Sequence, residues 1–161
     1  METRRPLLTR GALYLLVAML GGVLATPAGA RTASSVAIPI SGTVDGLPEG
    51  VTVSGLARIT STLVKTDAKF HHPPRVILEF DLHHVSGTGI STGTHYVTRS
   101  RDELLRPLVA SDVIEVTFPL QPSGPKGFTA ARAGLASFTL SFDVNTGALT
   151  GGTGTVSTPG S

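Results

Sequence analysis

Beyond residue 30, the chain reads as all-β: an antiparallel β-sandwich of about seven strands, with a small β-barrel as the alternative. Three observations lead there. Apolar side chains alternate with polar ones in several runs, which sends one set to a buried face and the other to water. Gly-rich turn segments separate the runs. Only one stretch carries a helical signal, and a proline cuts it short.

Met1 to Ala30 stand apart from that fold. "METRRPLLTR" is basic, "GALYLLVAMLGGVL" is apolar, and "ATPAGA" ends in small residues, with Ala28 and Ala30 where a signal peptidase reads. This is the layout of a cleaved export signal. The apolar run, Gly11 to Leu24, is short against the roughly 20 residues that a membrane span needs, so no membrane insertion is expected after cleavage. "TRRPLLT" (Thr3 to Thr9) resembles the twin-arginine export signal: a Ser or Thr, two arginines, any residue, then two apolar positions. That resemblance covers the leader alone and implies folding before export; ordinary Sec export is the favoured route. The expected location is therefore the periplasm or the medium.

The clearest strands are Val76, Leu78, Phe80, Leu82; Ile114, Val116, Phe118, Leu120; and Phe138, Leu140, Phe142, Val144. Glu79, Asp81, Glu115, Thr117, Thr139 and Ser141 fall between them, so each strand has a wet face, the antiparallel signature. "VAIPISGTV" and "VTVSGLARITSTLV" supply two more strands, with Pro39 marking an edge and Gly55 a bulge or bend. "TGTHYVTRS" and "ALTGGTGTV" complete the set. Hairpins are expected at "DGLPEG" and at "VNTGA", where Gly147 suits the left-handed position of a three-residue loop. Ser100 as N-cap with Glu103 as capping-box partner predicts one or two helical turns in "SRDELLRPL", ended by Pro107. Gln121 to Gly134 reads as a long loop. The domain is expected over residues 31–157, with a disordered tail at 158–161.

Charge excludes one class of partner. Of 13 Lys and Arg, Arg4, Arg5 and Arg10 lie in the leader, and of 11 Asp and Glu, Glu2 does, so the exported part is neutral. Nucleic acid, whose binding needs several phosphate contacts, is not an expected partner. The chain has no cysteine. In an oxidising compartment, packing and backbone hydrogen bonds must then replace cross-links.

Four of the 5 histidines bracket one strand in "HHPPRVILEFDLHH". An extended segment from Arg75 to His83 spans roughly 26 Å, so the two pairs cannot share a metal held at about 2 Å. His71 and His72 read as a solvated loop tip before Pro73 and Pro74. His83 belongs to the wet face, while His84 continues the parity of Leu82 and is expected at the buried face. With "VSGTG" as the turn, His95 comes opposite His83, or opposite His84 after a slip of one residue. Asp81, His83 and His95, with Glu79 beside them, then form a candidate zinc or copper site. The competing reading is a solvated polar strand face. A second cluster, His95, Tyr96 and Arg99, is a candidate ligand site or, with a carboxylate, an acid–base pair.

The chain shows no Gly-x-Ser-x-Gly elbow, His-Glu-x-x-His motif, phosphate loop or cysteine nucleophile. The expected function is a non-catalytic binding or interaction module that meets a protein, peptide or glycan through Gly-, Ser- and Thr-rich loops. An exported assembly subunit pairing through edge strands ranks second, and an enzyme or metal protein third.

Overall fold

Alternation does build every element. The computed structural model describes residues 33–64, 73–123 and 130–160, all within the compact unit Arg31–Ser161. They form β1 (Ala33–Val44), β2 (Val51–Val64), β3 (Arg75–Gly89), β4 (His95–Val97), β5 (Arg101–Pro107), β6 (Ser111–Pro122), β7 (Arg132–Phe142) and β8 (Leu149–Ser157). No helix occurs among the described residues. Residues 1–30, where a cleaved export signal is expected, with Ala28 and Ala30, and His71 and His72 lie outside them.

The eight strands make one mixed sheet, β2-β1-β8-β7-β6-β4-β3-β5, and β2 also pairs with β3. The sheet therefore rolls up on itself. β4 and β5 both run antiparallel to β3, at Ser86↔Val97 to Thr88↔His95 and at Arg75↔Pro107 to Asp81↔Arg101. They occupy a single position round the roll, which leaves seven positions in up-and-down order. Strand direction alternates in such an order, so the first and seventh positions must run the same way. β8 and β1 do meet in parallel, with Gly42↔Val156 as the register pair. The rest of that junction is tied by hydroxyls: the Leu149 N–H donates to Ser34 Oγ at 2.7 Å and the Asp45 N–H to Thr158 Oγ1 at 2.7 Å. Thr158, expected in a disordered tail, is an anchor.

The roll is not a regular barrel. Among the described residues β5 and β6 share no ladder, so a seam runs between them. The inward side chains of facing walls fill the middle, where Phe80 of β3 and Phe138 of β7 lie 5.4 Å apart with rings tilted by 37°. Leu78, Phe80, Leu82, Phe118, Leu120, Phe138 and Leu140 are all essentially inaccessible to water. Burial on this scale contributes roughly 1.5–3 kcal/mol per large apolar side chain. The all-β, sandwich-like domain expected from alternation is what forms.

Five local expectations change. "SRDELLRPL" holds strand β5, because pairing along β3 satisfies a whole row of backbone groups that one helical turn would leave open. The Ser100 hydroxyl donates to Asp102 Oδ2 at 3.0 Å, a local bond equally compatible with extended chain. "VSGTG" is the end of β3, and the turn follows it, with the Gly93 N–H donating to the Gly89 carbonyl at 2.9 Å. Val144 leaves the β7 face for an exposed turn. Gly147 does adopt the left-handed conformation, φ 70°, but in a longer connection between Phe142 and Leu149.

The fifth change is a β-bulge. Against β2, His84 pairs with Leu56 but Asp81 with Arg58, so Leu82 and His83 together face Ala57. The same extra residue offsets the β4 and β5 registers. Parity reverses across it: Leu82 and Val85 are buried, and His83 and His84 are both exposed. Gly55, read as a bulge or bend, lies against this place, where a Cβ would collide with the His84 carbonyl and come within 2.6 Å of Val85 Cα.

Candidate functional site

The bulge and the β4–β5 break face each other, and the site grows from that pairing. A bulged N–H loses its ladder partner, and here the side chain of Asp81 replaces it. The His83 N–H donates to Asp81 Oδ1 at 3.0 Å, and His83 Nδ1 lies 2.6 Å from the same oxygen. Arg101 Nη2 donates to the other oxygen at 2.8 Å. The His83 N–H, with the Arg101 guanidinium and the His83 ring, holds the Asp81 carboxyl far below its usual range. Asp81 thereby fixes Arg101, the first residue of β5.

Between Val97, the last β4 residue paired with β6, and Arg101 the chain is bordered by a groove of about 600 Å³. Val97, Arg99 and Arg101 form one wall, and Pro119, Gln121 and Ser123 the other. Arg99 makes no ion pair among the described residues, in contrast to Arg101. At one end, Ser123 continues the β4–β6 pairing with its N–H on the His95 carbonyl at 2.8 Å. Its hydroxyl lies 2.8 Å from His95 Nδ1 and 3.2 Å from the His95 carbonyl. Further along the seam a second hollow, about 170 Å³, is lined by Asp102, Leu104, Glu115, Val116 and Thr117. The seam ends where Arg106 Nε and Nη2 grip the Asp112 carboxylate at 2.8 and 2.9 Å. That two-pronged contact lowers the Asp112 pKa and raises that of Arg106.

The metal set of Asp81, His83 and His95 does not assemble. Asp81 and His83 touch, but His95 stands opposite Thr88, because the turn falls after β3 rather than within "VSGTG". Among the described residues no group of three or more His, Asp or Glu could hold a metal ion. Glu79 faces Glu103 across β3 and β5. The ligand cluster of His95, Tyr96 and Arg99 splits by alternation. His95 points outward and Tyr96 inward, while Arg99 lines the groove.

Tyr96 belongs to a different structure, a latch at the end of the roll. Its hydroxyl donates to Glu49 Oε1 at 3.3 Å, and the Thr92 hydroxyl donates there at 2.7 Å. Glu49 Oε2 accepts the N–H groups of Ser91 and Thr92 at 3.0 and 2.9 Å. These donors, the Thr92 hydroxyl foremost, hold the Glu49 carboxyl below its usual 4.5. Buried carboxylates are tolerated when fully hydrogen-bonded, and this one locks the β1–β2 turn to the β3–β4 turn. Nothing in "DGLPEG" distinguishes Glu49 from any turn glutamate. Ser123 likewise carries no signal, since it sits in a Pro-rich stretch.

Comparison with known proteins gives no matching family model, and no curated protein or solved structure matches the chain.

Proposed function

We propose that the chain is an exported, non-catalytic binding module and that the groove beside the β4–β5 break is its ligand seat. The observation that carries this reading is the groove itself: a concave surface of mixed polarity at the place where the sheet fails to close, with one guanidinium, Arg99, that meets no carboxylate among the described residues. Its walls belong to strands anchored in the core, and Asp81 holds Arg101 in place. Binding to a rigid, pre-formed surface costs less ordering entropy than binding to a mobile loop. The leader supports export. Assembly through edge strands is less well supported, because Arg106–Asp112 and Val97↔Gln121 pin both ends of the seam, which leaves room there for a short segment rather than a long strand of a second subunit.

The test is a backbone amide NMR titration of residues 31–161 with neutral oligosaccharides, uronic-acid oligosaccharides and short peptides. The reading expects at least one class to shift residues 97–101 and 119–123 together. Shifts confined to other surfaces, or none at millimolar ligand, overturn it.

One observation favours a second reading. The Ser123 hydroxyl within 2.8 Å of His95 Nδ1 is a nucleophile–base spacing. Activation requires the hydroxyl proton to point at Nδ1 rather than at the His95 carbonyl, and among the described residues no third group orients the ring. Covalent labelling of Ser123 by a fluorophosphonate, read by mass spectrometry, would shift the balance to an acyl-transfer enzyme; an unlabelled Ser123 removes it.

A further inference from the structure

We infer that the groove's ligand is an extended peptide segment of a partner protein that carries an acidic side chain and, three or four residues away, a basic one. This rests on the groove being the ligand seat and names what occupies it. Three independent observations carry it.

The first is the charge order along the seam. Arg99, which meets no carboxylate among the described residues, stands at the groove. Asp102 and Glu115 stand at the second hollow. Arg101 lies between but is already neutralised by Asp81 at 2.8 Å. A ligand with a single charge satisfies one place and is repelled at the other. From residue 99 to residues 102–103 an extended chain covers roughly 10–13 Å, or three to four residues of a strand laid alongside.

The second is the backbone. Among the described residues β5 pairs with β3 alone, and β6 from Ser111 to Leu120 with β7 alone, so each lip presents a row of N–H and C=O groups with no described strand beyond it. Such lips pair readily with an extended peptide, main chain to main chain. Arg106–Asp112 closes the far end, so the segment is short, on the order of six residues.

The third is what the groove lacks. Sugar rings are commonly held against aromatic faces, and among the described residues no aromatic side chain lines either hollow. The chain has no Trp and 2 Tyr, of which Tyr96 is turned into the core. Pro119, Pro122 and Val97 offer apolar contact of the kind that suits peptide side chains.

The probe is a six-residue peptide of Thr, Val and Ser with Glu at its second position and Lys at its fifth, measured by fluorescence anisotropy beside peptides in which both charged positions are Glu or both are Lys. The mixed peptide should bind tightest, each mismatched charge weakening it about fivefold, the worth of an exposed ion pair. Arg99→Glu should reverse the preference at the acidic position, and Glu115→Lys that at the basic one; both positions are exposed, so the fold is retained. Equal binding of all peptides, or Arg99→Glu without effect, overturns the inference. If uronic-acid oligosaccharides alone shift the groove amides, the peptide inference fails while the binding-module reading stands; if nothing shifts them, both fail.

Discussion

Removal of the Asp81 carboxylate tests the link between the bulge and the groove. Asp81→Ala deletes the acceptor for the His83 N–H and the partner of Arg101, both of which Asp81 holds within 3.0 Å. A hydrogen bond to a charged group is worth roughly 1.5–3 kcal/mol. Asp81 is partly accessible and Arg101 mostly exposed, so water reduces that worth to about 1–2 kcal/mol for the set. Asp81→Asn keeps an acceptor for the N–H and loses only charge, so it should cost about half as much. The pH dependence has a definite sign. The folded carboxyl titrates well below its usual 3.8, so its contribution is complete above that value and falls as the solution is acidified, by at most about 1.4 kcal/mol per pH unit. Urea unfolding at about pH 5 and about pH 2.5 compares the two sides of the value at which this carboxyl takes up its proton in the unfolded chain. The wild-type advantage over Asp81→Ala should be about 1–2 kcal/mol at the higher pH and clearly smaller at the lower, which lies inside the window between the unfolded and folded values. An advantage under about 0.5 kcal/mol, or one equal at both pH values, refutes the assignment of Asp81 as the cap of the bulge.

Four further substitutions probe other parts of the argument. Phe138→Ala opens a cavity against Phe80 and should cost about 3–5 kcal/mol in urea unfolding. Ser61→Ala removes the buried hydroxyl that donates to the Gly147 carbonyl at 2.7 Å; about 1–2 kcal/mol should be lost by the same measurement, because that carbonyl loses its partner. Gly42→Ala places a Cβ against the Val156 carbonyl at the parallel junction, and a loss of about 1–3 kcal/mol, with faster exchange of β8 amides, is expected. Glu49→Gln should speed hydrogen exchange at Ser91 and Thr92 above pH 4.5, while the wild type loses the same protection as the pH falls through the lowered Glu49 value.

The comparison of sequence with structure divides along a physical line. Which residues enter the core was legible, because alternation is a local property: Val76, Leu78, Phe80 and Leu82 face inward whatever strand lies beside them. The hairpins at "DGLPEG" and around Gly147 were legible because their turn chemistry is local too. Fold class follows from these alone, as does the separation of "HHPPRVILEFDLHH" into distinct places, which needs only the length of an extended chain.

Register and partnership were decided by the tertiary structure. The bulge at Leu82–His83 adds one residue against both neighbouring strands, and that residue turns His84 outward and offsets β5 from β4. His95 meets Thr88 because the sum of all β3–β4 and β4–β6 pairings favours a turn after Gly89, which no two-residue rule encodes. β5 forms because the β3 edge needed a partner, an energy that a capping box in isolation cannot match. Sequence set the inside and outside of this protein; only the closing of the sheet, with one strand too few paired at the seam, decided which outside residues face one another and where a ligand finds room.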